Sequence, residues 1–198
     1  MHSKKFDFAF GGRAYVYDDS YEGRFSQKFY TLLLNNIDLK PYAEVLDVGC
    51  GTGELLKRLS QKEKINGYGI DVEKNMVAIA KKKCPDMKIQ ISKSDCLPFL
   101  DDSFDVLTAC MAYHHFENRK GFAREAARIL KNGGRLYIAD PNFFTIFRKV
   151  INKILMHINA VGYFSDSKDL FTDLSELGFK PIACIKKGYA QLFILEKM

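Results

Sequence analysis

Residues 45–48, Val-Leu-Asp-Val, form an apolar run broken by one acid, and glycines follow at 49, 51 and 53. Behind Glu54, Leu55, Leu56 and Leu59 recur at helical spacing. This pattern predicts strand, tight turn, helix. Upstream, Tyr21, Phe25, Tyr30, Leu33, Leu34 and Ile37 fall on one face of a helix with Ser20 as its cap. Downstream the two periodicities alternate: strand 66–70, helix 74–83, strand 87–91, a fourth strand entered through the polar turn 101–103, helix 117–130 and strand 135–139. Lys131-Asn132-Gly133-Gly134 reads as a helix stop and turn. Phe143, Phe147, Val150, Ile151, Ile154 and Ile158 continue at helical spacing with Arg148, Lys149 and Lys153 between them, which predicts a basic amphipathic helix over 143–158. Helix 169–178 and a hairpin of 180–185 with 188–195 close the sequence. Strands alternating with helices imply an α/β fold with a parallel sheet.

Composition adds bounds. A length of 198 residues with 47% hydrophobic content fits one globular domain with a full core. The five cysteines are odd in number and none stand in C-x-x-C spacing, which argues for reduced thiols in a cytosol and against a disulfide framework or a zinc site. No apolar run approaches membrane-spanning length and no signal core opens the chain, so a soluble, cytoplasmic protein is expected. The net charge of +6 suggests an acidic partner such as nucleic acid, but the basic residues are mostly spread out, with short lysine runs such as 81–83 and 186–187.

The glycine turn carries the first chemical signal. Glycines permit backbone angles closed to other residues and admit a ligand to the main chain, beside the free N–H groups of a helix N-terminus. The spacing is G-x-G-x-G rather than G-x-G-x-x-G, and Glu54 in the first helical turn would repel a pyrophosphate. No Gly-Lys-Ser/Thr occurs, so a P-loop is excluded. A phosphate-free nucleoside fits better than a dinucleotide. Asp71 follows the second strand about 20 residues beyond the turn, where a carboxylate accepts from both hydroxyls of a ribose; it is alternatively the cap of the next helix. Asp101, Asp102 and Asp105 fall at the opposite end of a strand and read as structural. Tyr15, Tyr17 and Arg24, on a Gly11-Gly12-hinged aromatic segment, are candidates for a lid over the ligand.

Val45–Gly53 resembles the first motif of the class I, Rossmann-like S-adenosylmethionine-dependent methyltransferases, and the resemblance extends from about Tyr42 to Pro141. It implies a doubly wound, mainly parallel seven-stranded sheet with a C-terminal antiparallel hairpin, and S-adenosyl-L-methionine as cofactor. It implies that Gly49, Gly51 and Gly53, with Cys50 between them, cradle the methionine part and that Asp47 helps hold its amino group. Asp71 would bind the ribose, Val72 would lie against the adenine, and Asp95 and Cys96 would read its edge. Met111 would sit beside the cofactor, with Tyr113, His114 and His115 nearest the substrate. An imidazole there could remove a proton from a nucleophile, and an adjacent pair of histidines equally suits a structural hydrogen-bonded pair. No metal site is expected.

The expected organisation is one methyltransferase domain: a lid and helix segment (1–40), a cofactor-binding core (42–141), a cap insertion (142–165), and a closing helix and hairpin (166–198). The 143–158 helix is read as a cap, with peripheral membrane contact left open. Residues 111–115 lack a D/N-P-P-Y/F segment and no Pro-Cys occurs, so two nucleic-acid chemistries lose support. The expected function is methyl transfer to a small-molecule acceptor. An RNA methyltransferase and a non-catalytic cofactor-binding partner or sensor remain alternatives, and the oligomeric state stays open.

Overall fold

The computed structural model describes residues 11–142 and 167–198 together with Lys153. The expected 143–158 cap lies outside the described residues, apart from Lys153, as do Phe6, Phe8 and Phe10.

Seven strands form one sheet in the order β3-β2-β1-β4-β5-β7-β6. They are β1 (Glu44–Val48), β2 (Asn66–Asp71), β3 (Lys88–Ile91), β4 (Phe104–Cys110), β5 (Leu130–Pro141), β6 (Phe179–Lys187) and β7 (Ala190–Lys197). Only β7 runs against its neighbours, pairing antiparallel with both β5 and β6. Among the described residues the α-helices include α1 (Tyr21–Leu34), α2 (Glu54–Lys62), α3 (Lys74–Lys83), α4 (Arg119–Ile129) and α5 (Ser167–Ser175). The Rossmann-like methyltransferase arrangement and its closing antiparallel hairpin are thus as expected.

Strand alternation divides the core. Val45, Val106, Tyr137 and Ala139 face Phe29 and Leu33 of α1 and Leu55 and Leu59 of α2. Leu46, Leu107, Leu136 and Ile138, each one residue out of phase, face Phe122 and Ala126 of α4 and Leu170 and Leu174 of α5. Burial on both sides is why these strands read as nearly continuous apolar runs. Each fully buried Leu or Phe here contributes roughly 1.5–3 kcal/mol of transfer free energy.

The chain leaves β1 toward β2 and β3 but returns at β4 to build toward β5, so β1 and β4 flank the topological switch point. The crevice at their carboxyl ends is where such sheets take ligands.

Local signals mostly set the helix boundaries. Ser20 caps α1, its hydroxyl accepting from Gly23 N–H at 3.1 Å. Glu73, not Asp71, caps α3, accepting from Asn75 N–H at 3.1 Å. Asn118 caps α4 through Gly121 N–H at 2.9 Å, so that helix begins two residues after Glu117. Residues 131–134 differ from expectation: they belong to β5. Two steps along β4, Phe104 to Val106, face five along β5, Leu130 to Arg135, and the surplus bulges outward through Gly133 at φ +76°. Lys131 Nζ anchors this bulge on Asp105 at 2.8 Å. The hairpin turn likewise falls at Gly188 and Tyr189, with Gly188 at φ +60°.

Candidate active site

The turn between β1 and α2 holds Gly49, Gly51 and Gly53 at φ +76°, +51° and +79°. Each angle is one that side-chain-bearing residues rarely adopt, but the three have different neighbours. A Cβ on Gly49 would stand 2.5 Å from Ala112 Cβ, and one on Gly53 3.1 Å from Ala80 Cβ. At Gly51 it would meet nothing within 4 Å, because that residue faces open space. The outer glycines thus serve close packing and the middle one leaves room for a ligand.

The donors of the turn are engaged within the protein. Gly49 and Cys50 N–H both donate to Ile70 O (2.8 and 2.9 Å), Gly53 N–H donates to Cys50 O (2.9 Å), and Gly51 N–H donates to Asp71 Oδ2 (2.9 Å). Sequence reasoning expected free donors at the helix N-terminus and assigned the rejection of phosphate to Glu54. Gly53 caps that helix with no side-chain hydrogen bond, so the first expectation is not overturned, but the structure revises the second. Glu54 is turned to Lys83 (3.1 Å) and Arg58 (2.8 Å), and although burial pushes its carboxyl up, those two partners hold it below the usual range. Four amides of the turn are thus taken, and the Asp71 carboxylate stands beside them.

Two acids flank the corner. Asp47 is 2% exposed and lies in register beside Thr108 of β4, whose hydroxyl donates to its Oδ1 at 2.7 Å. Burial pushes its carboxyl up to about 7, opposed by Thr108 and reinforced by Asp71. Asp71 ends β2; Oδ2 takes Gly51 N–H and Oδ1 takes Glu73 N–H, each at 2.9 Å. Burial raises its carboxyl against those backbone donors. A carboxylate has about four acceptor sites, so capacity remains for a further donor.

These groups open on a cavity of about 1350 Å³, lined among others by Asp47, Gly49, Cys50, Gly51, Asp71, Val72, Asp95, Met111 and His115. Gly53 and Cys96 are not among its lining residues. Asp95 accepts from Asn118 Nδ2 at 2.9 Å, which ties the loop after β3 to the cap of α4. Met111 has φ +56°, a conformation rare for a side-chain-bearing residue, held by its N–H donating to Ala139 O at 2.8 Å. Such strain recurs at functional sites.

The loop after β4 separates its three candidates. Tyr113, 4% exposed, packs edge-on against Phe116 and Phe122 and does not line the cavity. Nor does His114, whose Nδ1 lies 3.0 Å from Asp140 Oδ1. His115 lines the cavity with its ring centroid 3.9 Å from that of His114.

Sequence reasoning had only partly located the roof. Tyr17, Tyr21, Phe25 and Tyr30 line the cavity, whereas Tyr15 is 75% exposed. Asp18 fastens this segment to the corner: Thr52 Oγ1 donates to it at 2.7 Å and Lys83 Nζ at 2.5 Å. Among the described residues, no group of His, Cys, Asp and Glu side chains could hold a metal ion, and no helix is long and apolar enough to cross a membrane.

Residues 46–138 match the family model described as a methyltransferase domain. The chain belongs to the class I S-adenosylmethionine-dependent methyltransferases. It is 31% identical to the uncharacterized methyltransferase YcgJ of Bacillus subtilis over 135 residues, 66% of this chain and 52% of that protein. It is 35% identical to the demethylmenaquinone methyltransferase of Chlorobaculum parvum over 158 residues, 69% of this chain and 66% of that enzyme. The chain therefore spans about half of the first relative and about two thirds of the second. A chain of the solved complex between the Haloferax volcanii Trm112 methyltransferase activator and a methyltransferase has a TM-score of 0.83, at 20% identity, over 94% of this chain and 95% of that one. That last likeness concerns the fold. The cofactor of this family is S-adenosyl-L-methionine.

Proposed function

We propose that this methyltransferase-family chain transfers a methyl group from S-adenosylmethionine to a small-molecule acceptor. The observation that carries the small-molecule reading is the sign of charge around the cavity. The chain has a net charge of +6, yet carboxylates line its cavity and Lys93 is the single lysine or arginine among the lining residues described. A nucleic-acid phosphate would meet like charge at the point of chemistry. The demethylmenaquinone methyltransferase resemblance, with a small acceptor in its name, supports the same reading.

The corner suits the cofactor on chemical grounds. Gly51 leaves space, its amide is engaged by Asp71, and a buried carboxylate at Asp47 suits an ammonium. Asp47 would hold the amino group, Asp71 the ribose diol, Val72 and Asp95 the adenine, and Met111 the neighbourhood of the sulfur. Gly49 and Cys50 line the cradle, and Gly53 shapes it from behind. Bound there, the sulfonium supplies an activated methyl group with a good leaving group, so alignment and exclusion of water are the protein's main tasks. The aromatic roof excludes water, and His115 is the imidazole able to accept a proton from the acceptor. His114, backed by Asp140, and Tyr113, wedged between phenyl rings, position that loop.

A protein partner is the second reading, favoured by the neighbour solved with an activator. Incubating the purified chain with methyl-labelled cofactor and fractionated cell extract tests both. Label in the low-molecular-weight fraction supports the proposal, whereas label in nuclease-sensitive material refutes it. Activity appearing only with a protein fraction added points to the partner.

A further inference from the structure

We infer that Asn118 is a positioning residue for nucleobase selectivity: it holds one carboxylate oxygen of Asp95 and leaves the other to accept from the exocyclic amine of the cofactor's adenine. This rests on the reading that puts the base near Val72 and Asp95, and goes beyond it to the residue that sets the choice between bases.

The seat for a base is built from the ends of two paired strands. Ile91 of β3 lies in register beside Asp71 of β2, and Val72 follows Asp71. Both apolar side chains line the cavity and are still 58% and 48% exposed, which suits a flat ring laid across them. The next loop folds back on these strand ends. Ser92 N–H donates to Asp71 O at 3.1 Å, and the Ser92 hydroxyl donates to Cys96 O at 2.9 Å. Asp95, just before Cys96, is thereby kept at this end of the cavity, which it lines together with Asn118.

Asn118 uses both ends of its amide. Oδ1 accepts from Gly121 N–H at 2.9 Å and caps α4, while Nδ2 donates to Asp95 Oδ2 at 2.9 Å. These contacts fix which end is which, because a backbone N–H only donates and a carboxylate only accepts. Among the described residues, no hydrogen bond engages Oδ1 of Asp95. An acceptor there pairs with the 6-amino group of adenine and repels the 6-oxo group of hypoxanthine.

The same face of α4 serves the rest of the loop. Asn118, Gly121, Glu125 and Arg128 follow at intervals of three, four and three, which is one stripe of a helix. Leu97 N–H donates to Glu125 Oε2 at 2.6 Å, and Arg128 donates to Leu97 O at 3.0 Å and to Phe99 O at 2.7 Å. Glu125 and Arg128 thus hold the loop by its backbone, whereas Asn118 holds the carboxylate itself. At Gly121 a Cβ would stand 2.4 Å from Asn118 Nδ2 and 2.6 Å from Asp95 Cβ. The missing side chain lets Asp95 lie against this turn.

Titration calorimetry of the full chain with S-adenosylhomocysteine and S-inosylhomocysteine, which differ at the 6-position of the base, tests the inference. The unaltered chain is expected to favour the adenosyl ligand at least tenfold. Asn118→Ser keeps a capping oxygen but loses the amide N–H that reaches Asp95. It should lower that ratio at least threefold while denaturant unfolding changes little. Asn118→Asp also caps, and sets like charge against Asp95, so it should lower the ratio at least as far. Gly121→Ala introduces a better helix former and should lower the ratio too, by displacing Asp95. An unchanged ratio in Asn118→Ser, or an equal loss of both ligands, overturns the inference. Asp95→Asn checks the base assignment separately: an amide N–H there should shift preference toward S-inosylhomocysteine. No shift in that variant removes the base assignment and the inference with it, whereas a shift there and none in Asn118→Ser removes the inference alone.

Discussion

The two ends of the sheet use the same side chain for opposite purposes. At the amino ends of the strands and the turns that feed them, aspartates meet cations: Asp101 with Arg128, Asp102 with Lys197 and Asp105 with Lys131, each at 2.8 Å. At the carboxyl ends, Asp47 meets a hydroxyl and Asp71 meets backbone N–H groups, and among the described residues neither forms an ion pair. One end is electrostatically finished within the chain. At the other, Asp47 and Asp71 are buried without a counter-cation among the described residues, and burial raises both carboxyls, so a cationic ligand would favour their ionised forms. Asp47 and Asp71 therefore mark the binding corner by what they lack as much as by where they stand.

Four measurements break or sharpen that contrast. The largest effect is expected at the binding end from Gly49→Ala. A Cβ at φ +76° and 2.5 Å from Ala112 Cβ combines backbone strain with overpacking, and denaturant unfolding should register a loss of about 2–5 kcal/mol. Gly51→Ala, which has no such neighbour, should cost less than Gly49→Ala. Next, Asp71→Ala should weaken S-adenosylhomocysteine binding at least tenfold by calorimetry, and unchanged affinity would remove the ribose assignment.

The third effect concerns pH. In the empty fold Asp47 keeps its proton up to about 7, whereas in the unfolded chain it ionises above about 4. Between those values the folded state holds a proton that the unfolded state has lost, so the contribution of Asp47 to stability declines as pH rises through that window. Ligand affinity runs the other way, because an ammonium needs the ionised carboxylate. Affinity for S-adenosylhomocysteine should rise up to about tenfold from pH 6 to pH 8, and Asp47→Asn should flatten that rise. The smallest effect belongs to the finished end. Asp101→Asn, at an exposed pair, should change stability by no more than about 0.5 kcal/mol and ligand affinity not at all.

Much of this frame was legible in the residues because its causes are local. The nearly continuous apolar run of β1, three glycines in five residues and a serine ahead of α1 each act within a few positions of themselves. The errors arose where a distant residue decides. Nothing near Glu54 announces that Lys83, 29 residues on, will answer its charge. Nothing near Gly51 says that its N–H will be taken by Asp71. Residues 131–134 have the composition of a turn, but pairing with β4 on one side makes them a bulge instead. The left-handed backbone of Met111 and the approach of His114 to Asp140 likewise depend on tertiary contacts that no spacing rule contains.

Lys83 has a consequence of its own. One ammonium reaches Asp18 at 2.5 Å, Glu54 at 3.1 Å and Thr52 at 3.2 Å, so the roof is fastened to the corner partly by charge. Dissolved ions compete with such a fastening, incompletely because it is half-sheltered. Ionic strength thereby becomes a valve on this chamber: an occupant should escape sooner from brine than from dilute buffer, even where its own contacts are indifferent to electrolyte.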